Sequence, residues 1–236
     1  NLEIRAKYLD FLAFLLGKAG NADARGAAQA VLKLETDLAA AMWDRTISRN
    51  PDLTYNKLTL GELSALSPTA RLLLDKSGAG AASYVLVSQL TPTAEEVAAA
   101  KLAPEQLAKL GGGVAATAKL IDEAPLASWQ AWLVTRFLSE HASVMPAEID
   151  AANFAFYGIV LSGQPQQRPR WKRGITAVET QIGELLGQIY AQRYFPAANR
   201  TAMAALVGNL RRPMAVNLDE LNWMGPDTRR EAHPKP

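Results

Sequence analysis

Apolar positions return every three or four residues along most of this chain, which predicts helices packed side by side rather than a sheet. Residues 2–18 carry such a pattern and stop at Gly17 and Gly20. A second helix starts near Asp23. Its stripe, Ala27, Val31, Leu34, Leu38 and Ala41, advances by four and three, the spacing of one buried face. Asn50-Pro51-Asp52 breaks the chain, and Thr59 with Glu62 reads as a capping box that opens a short helix to Leu66. Ser83–Leu90 is the one good strand candidate, with no partner strand visible. Thr93 with Glu96 is a second capping box leading to Leu110, and Gly111–Gly113 reads as a flexible hinge.

In the second half, Leu126, Trp129, Trp132, Leu133 and Phe137 share one helical face after Pro125. Residues 147–161 follow, closed by a turn at Ser162–Pro165. Pro169 suits the first position of a helix, where its missing N–H is no loss. From there Trp171, Ile175, Val178, Ile182, Leu185 and Ile189 form a five-turn stripe predicted to be buried. Gly183 and Gly187 interrupt it at a spacing that lets another backbone approach, so a crossing helix is expected there. A last long helix is expected over 197–222, disturbed at Pro213, before Gly225-Pro226-Asp227 restarts a short turn. The fold class is therefore all-α, with at most a minor strand near 83–90.

Composition narrows this little. The chain has 236 residues, 49% hydrophobic and 20% charged, enough for a sizeable core. A formal charge of +2 is too small to imply a polyanionic partner, so no nucleic acid is expected. Cysteine is absent, which excludes disulfides and thiolate metal sites but leaves the compartment open. The strongest apolar cluster, Phe11–Leu16, lies between Asp10 and Lys18 and is far too short to span a bilayer. Asn1 is followed by no basic-then-apolar leader, so any signal peptide is expected upstream or removed.

Candidate chemistry is sparse. His141 and His233 lie far apart, with no second ligand three or four residues away, whereas zinc needs at least three convergent donors. There is no Gly-x-Ser-x-Gly elbow, and Gly111–Gly113 lacks the flanking residues of a phosphate loop. Arg168, Arg170, Lys172 and Arg173 cluster around Trp171 at a helix start, which points to ion pairs with carboxylates elsewhere in the fold. Phe154, Phe156 and Tyr157 read first as core, with a pocket wall as the alternative.

The run from Asn153 to Pro196 nevertheless carries a specific order of motifs. Asn153-Phe154, then Phe156-Tyr157-Gly158, Leu161-Ser162-Gly163, Pro169-Arg170-Trp171-Lys172-Arg173 and Tyr194-Phe195-Pro196 resemble the N-terminal helical half of the neprilysin and endothelin-converting-enzyme family of zinc metallopeptidases. Further pieces are similar: Leu34-Glu35 with Ala39–Arg45, Thr54–Thr59 at a Tyr-Asn turn, Pro125–Leu133, and Leu221–Met224 with Trp223, followed by Pro226–Ala232. Residues 92–113 look like an insertion or flexible segment within this pattern.

The resemblance implies a single helical lid domain over 1–236 that encloses oligopeptide substrates in a larger bacterial metalloendopeptidase. Its partner would be a catalytic zinc domain, with zinc bound in that missing half and no cofactor here. His-Glu-x-x-His is absent from this sequence, so no catalytic residue carries over and the chain alone is expected to be inactive. The motif residues are read as structural. The family also implies a periplasmic or secreted setting. The competing reading is a non-catalytic helical interaction or scaffold protein derived from such a lid.

Overall fold

The computed structural model describes residues 1–235. In chain order the helices are α1 (Leu2–Lys18), α2 (Ala24–Ala41), α3 (Pro51–Thr54), α4 (Leu60–Leu66), α5 (Pro68–Lys76), α6 (Ala94–Ala99), α7 (Pro104–Leu107), α8 (Gly113–Glu123), α9 (Leu126–Glu140), α10 (Ala147–Asn153), α11 (Arg170–Tyr194), α12 (Ala197–Glu220) and α13 (Pro226–Ala232). A π-helix, Phe154–Leu161, continues α10. Two three-residue strands, β1 (Asn56–Leu58) and β2 (Val85–Val87), pair antiparallel in the register Asn56 to Val87 and Leu58 to Val85. The fold is thus mainly α-helical, and the strand expected within 83–90 is trimmed to Val85–Val87. Its partner is Asn56–Leu58, where the sequence suggested a turn. Asn56 helps hold the pair by donating from Nδ2 to the Leu53 and Val87 carbonyls.

Contacts divide the chain into two compact units, Asn1–Gln167 and Arg168–Pro236. The first is built on α1. Leu12 and Leu16 face Ala28 and Val31 of α2 and Ala131 of α9. Phe11 and Leu15, one position earlier in each turn, face Ala142, Ile149 and Phe156. Leu15 is fully enclosed. A third, smaller core gathers Trp43, Ile47 and Leu53, with Ala100, Leu102 and Leu110 of the 92–113 segment packed on it.

Local chemistry sets many helix ends. Asp23 caps α2 through Gly26 N–H, and the two capping boxes, Thr59 with Glu62 and Thr93 with Glu96, both form. Pro125 and Pro146 precede α9 and α10 directly. On α9 the structure departs from the expected single apolar face. Ala131 and Thr135 are its buried residues, whereas Leu126, Leu133 and Phe137 are exposed.

The glycines expected to act as a hinge fill a tight corner instead. Gly113 adopts φ +56°, and a Cβ there would overlap the Gln89 carbonyl oxygen. That carbonyl accepts from Val114 N–H at 3.0 Å, and Gln89 Oε1 accepts from Trp43 N–H at 2.8 Å. Gln89 is itself left-handed at φ 58°. One residue thereby ties together the start of α8, the end of β2 and the segment after α2.

A polar link crosses the first unit beside its aromatic core. Trp132 Nε1 donates to Glu35 Oε1 at 3.1 Å, joining α9 to α2. The Tyr8 hydroxyl of α1 also hydrogen-bonds Glu35, and burial first, then the Glu35 charge, push its phenol above the ordinary value of 10.0.

The second unit comprises α11, α12 and α13. Helix α11 is broken at Ile182 (φ −134°, ψ 25°), and α12 runs straight through Pro213 as helix. After α12, Arg229 of α13 folds back to donate from Nη2 to the carbonyls of Leu221 at 2.8 Å and Met224 at 3.3 Å. Those bonds tie α13 to the turn between it and α12.

Two measurements test this packing. Gly113→Ala should destabilise the chain by about 2–4 kcal/mol, combining a left-handed backbone penalty with overpacking. Gly20→Ala, at φ +81° with open space around it, should show the backbone part alone, about 1–2 kcal/mol. Urea midpoints that fail to separate the two variants would contradict the corner. For Tyr8, the raised folded-state pKa means its contribution is complete below the unfolded value and is lost as pH rises past it. Unfolding midpoints should therefore fall more steeply above about pH 10 in the parent chain than in Tyr8→Phe.

Candidate functional site

The motif residues singled out from sequence fall into both units rather than into one cluster. Asn153, Phe154, Phe156, Tyr157 and Gly158 lie at the junction of α10 and the π-helix. Asn153 Oδ1 accepts from Ser139 Oγ at 2.8 Å, tying this junction to α9. Phe156 is buried and stacks on Phe11 at 5.5 Å and on Tyr8 at 5.0 Å, while Tyr157 meets Phe11 edge-on at 5.8 Å. Offset stacks and edge-on pairs of this kind add to the energy of burial itself. The Phe154 ring lies over Gly158, so that any Cβ at Gly158 would collide with it. An aromatic shelf of about 230 Å³ opens beside this cluster, lined by Ile4, Arg5, Tyr8, Phe156, Tyr157 and Leu161. Its polar equipment is one guanidinium and one or two phenols, which suits contact with an apolar or anionic group but supplies no acid–base pair.

In the second unit Pro169 caps α11, and Arg170, Trp171, Lys172 and Arg173 make its first turn. Arg173 Nε donates to the Arg168 carbonyl at 3.2 Å, and Lys172 lies over the Trp171 ring at 5.4 Å. Trp171, expected to be buried, is 64% exposed. The rest of the stripe, Ile175, Val178, Ile182, Leu185 and Ile189, is exposed as well. Among the described residues of this unit nothing approaches the open face of Gly183 or Gly187 within 4 Å, so α12 and α13 do not supply the crossing helix expected there. Tyr194 and Phe195 are exposed at the end of α11, with Tyr194 packed against Tyr190 at 5.1 Å. Trp223 is exposed, and Met224 is half-buried beside the Arg229 bonds. Helix α12 adds Met203, Leu206, Val207, Leu210 and Met214 to the uncovered apolar surface. Among the described residues the second unit buries none at all. Two helices of about 25 residues with apolar stripes and no core require a cover, because exposed patches of this extent mark interaction surfaces.

The donor set does not fit zinc. His141 ends α9, its Nδ1 2.9 Å from the Phe137 carbonyl and its ring stacked on Phe137 at 4.4 Å. His233 Nε2 lies 2.8 Å from Asp219 Oδ1. Each histidine is committed to a neighbour on its own stretch of chain. Among the described residues no three His, Cys, Asp or Glu side chains converge on a point where a metal ion could sit. No described helix is long and apolar enough to cross a membrane.

Tyr8, which joins the polar link at Glu35, and Gln89, which holds the Gly113 corner, were not singled out from sequence. Glu35 and Trp132 were quoted only as parts of longer motifs. Tyr8 and Glu35 lie on different helices, and no local pattern announces a hydrogen bond between them.

Comparison with known proteins places the whole chain. Human endothelin-converting enzyme-like 1 is 27% identical over 99% of this chain and 28% of its own length. Mouse membrane metallo-endopeptidase-like 1 is 24% identical over 100% of the chain and 30% of its own length. Among solved structures, the zinc metalloprotease Zmp1 of Mycobacterium tuberculosis in its open state superposes with a TM-score of 0.70 at 27% identity, over 97% of this chain and 33% of that one. Lactobacillus rhamnosis PepO shares the fold, with a TM-score of 0.64 at 19% identity, over 98% of this chain and 34% of that one. The chain therefore spans about a third of the length of the proteins it matches. The sequence model of peptidase family M13 matches residues 1–235, and the chain belongs to that family of zinc metallopeptidases, as its N-terminal part.

Proposed function

We propose that these 236 residues are the lid of a bacterial zinc metalloendopeptidase, enclosing oligopeptides against a catalytic half that holds the metal. The observation that carries this reading is the second unit, whose long helices present apolar stripes with no cover among the described residues. An amphipathic helix contributes to stability by burying its apolar face. Family membership and the short share of the relatives' length support one candidate for the cover, the remaining two thirds of such a protein. The residues of this chain would then shape and close the enclosure, while zinc would supply Lewis-acid and water-activating chemistry from the other half. None of the side chains described above performs a proton transfer in this reading. Zmp1, a bacterial zinc metalloprotease, supports the bacterial assignment through its similarity.

The 236-residue chain alone should bind no stoichiometric zinc and cleave no quenched fluorescent peptide, whereas the complete polypeptide should do both. Metal analysis with a peptide assay decides this, and zinc-dependent cleavage by the chain alone would overturn the assignment. A complete polypeptide without His-Glu-x-x-His, and without cleavage, would establish the scaffold alternative.

Gly187→Leu gives a second test, with opposite signs in the two contexts. In the isolated chain the site is open, so the substitution should be neutral or stabilising by up to about 1 kcal/mol through helix propensity. In the complete polypeptide the same leucine should obstruct the covering half and lower peptide turnover while zinc content stays unchanged. Equal stability and equal turnover in both contexts would show that this face is never covered.

A further inference from the structure

Charge divides unevenly between the two units. Residues 168–236 hold eleven Lys and Arg against six Asp and Glu, a formal +5, whereas residues 1–167 hold fourteen against seventeen, a formal −3. The near-neutral total of +2 conceals this asymmetry. Within the basic unit, one cavity of about 230 Å³ lies between the second half of α12 and the segment following α13. It is lined by Arg211, Arg212, Met214, Leu218, His233 and Lys235.

Among the described residues no carboxylate lines this cavity. Arg212 Nη2 donates to Asn209 Oδ1, a neutral partner. Among the described residues neither Arg211 nor Lys235 meets an acidic side chain. The nearby acid, Asp219, accepts from His233 Nε2 at 2.8 Å. A carboxylate can only accept, so Nε2 carries the hydrogen and the pair fixes the imidazole at the rim. Among the described residues two guanidiniums and an ammonium thus gather over Met214 and Leu218, and the nearby Asp219 is engaged by His233 rather than by any of them.

We propose that this cavity binds a carboxylate-bearing peptide segment, its Asp or Glu side chain held by Arg211 and Arg212 and an adjacent apolar side chain resting on Met214 and Leu218. Planar guanidiniums match a carboxylate in fork geometry, and such charge-assisted bonds are about twice as strong as neutral ones. The apolar floor selects peptide over a free anion, because a bare phosphate gains nothing from a thioether and an isobutyl group. Neither the metal nor the cleavage chemistry proposed above enters this site, so its test with the 236-residue chain is independent of zinc content and peptide cleavage, although Met214 also belongs to the α12 face read above as covered in the complete protein.

The test is fluorescence anisotropy of a fluorescein-labelled Glu-Leu-Glu-Leu peptide amide with the 236-residue chain, beside the neutral Gln-Leu-Gln-Leu peptide and inorganic phosphate as competitor. Glu-Leu-Glu-Leu should bind, the neutral peptide should bind at least about tenfold more weakly, and R211Q/R212Q should reproduce that loss. R211K/R212K, which keeps the charge, should retain part of the binding, and circular dichroism should show both variants as helical as the parent. Four results would overturn the proposal: no binding, equal binding of the two peptides, unchanged binding in R211Q/R212Q, or displacement by phosphate as effective as by unlabelled peptide. The last would identify a free-anion site instead.

Discussion

The first unit depends on one helix buried from two sides. Leu12 and Leu16 of α1 pack on α2 and α9, while Phe11 and Leu15 pack on the 142–156 region. Residues adjacent in sequence are about 100° apart around a helix, so these pairs widen the apolar stripe until it serves two neighbours at once. Most of the remaining order in residues 1–167 follows from that geometry. The π-helix carries Phe156 onto Phe11, and Asn153 holds the junction to α9 through Ser139. Glu35 then joins α1, α2 and α9 through Tyr8 and Trp132. Losing Leu15 would loosen the core shared with Ile149 and Phe156, since substitutions of buried leucine by alanine cost about 2–5 kcal/mol.

What was legible in the sequence is what local chemistry decides. The capping boxes at Thr59 and Thr93 form because both partners lie within one turn, and the α2 stripe was legible as a periodicity, although what buries Val31 is α1 and α9. The β1–β2 pair was half legible: Val85–Val87 has strand composition, but its partner begins at Asn56, and no short-range signal connects them. Gly113 illustrates a different ambiguity. A glycine provides conformational freedom or room for a neighbour, and only the position of the Gln89 carbonyl shows that room is what is needed here.

Trp171 and its stripe teach the same lesson at larger scale. Periodicity establishes that a helix has an apolar face, but it says nothing about whether the covering surface lies within the same stretch of chain. That face is exposed here, and so are Leu126, Leu133 and Phe137 of α9, where the smaller Ala131 and Thr135 take the buried positions. The motif residues divide accordingly. Those around Phe156 stabilise the first unit's core, whereas Trp171, Tyr194 and Trp223 remain at the surface of the second. The motif order identified the family before any contact was known, because such order survives where the packing partner is out of sight.

The double burial of α1 has a consequence during synthesis. Its first neighbour, α2, follows at once, so one side of α1 can be covered as soon as a helical hairpin clears the ribosome. The other side waits for Phe156, about 140 residues later, which at roughly 5–20 residues per second is on the order of 10–30 seconds. Throughout that interval Phe11 and Leu15 belong to an unfinished surface, at the stage when nascent chains are most open to aggregation and to chaperone capture. Synthesis in the order of this sequence therefore makes the aromatic stack of Tyr8, Phe11 and Phe156 a late event, and the speed of translation a determinant of how much chain reaches it.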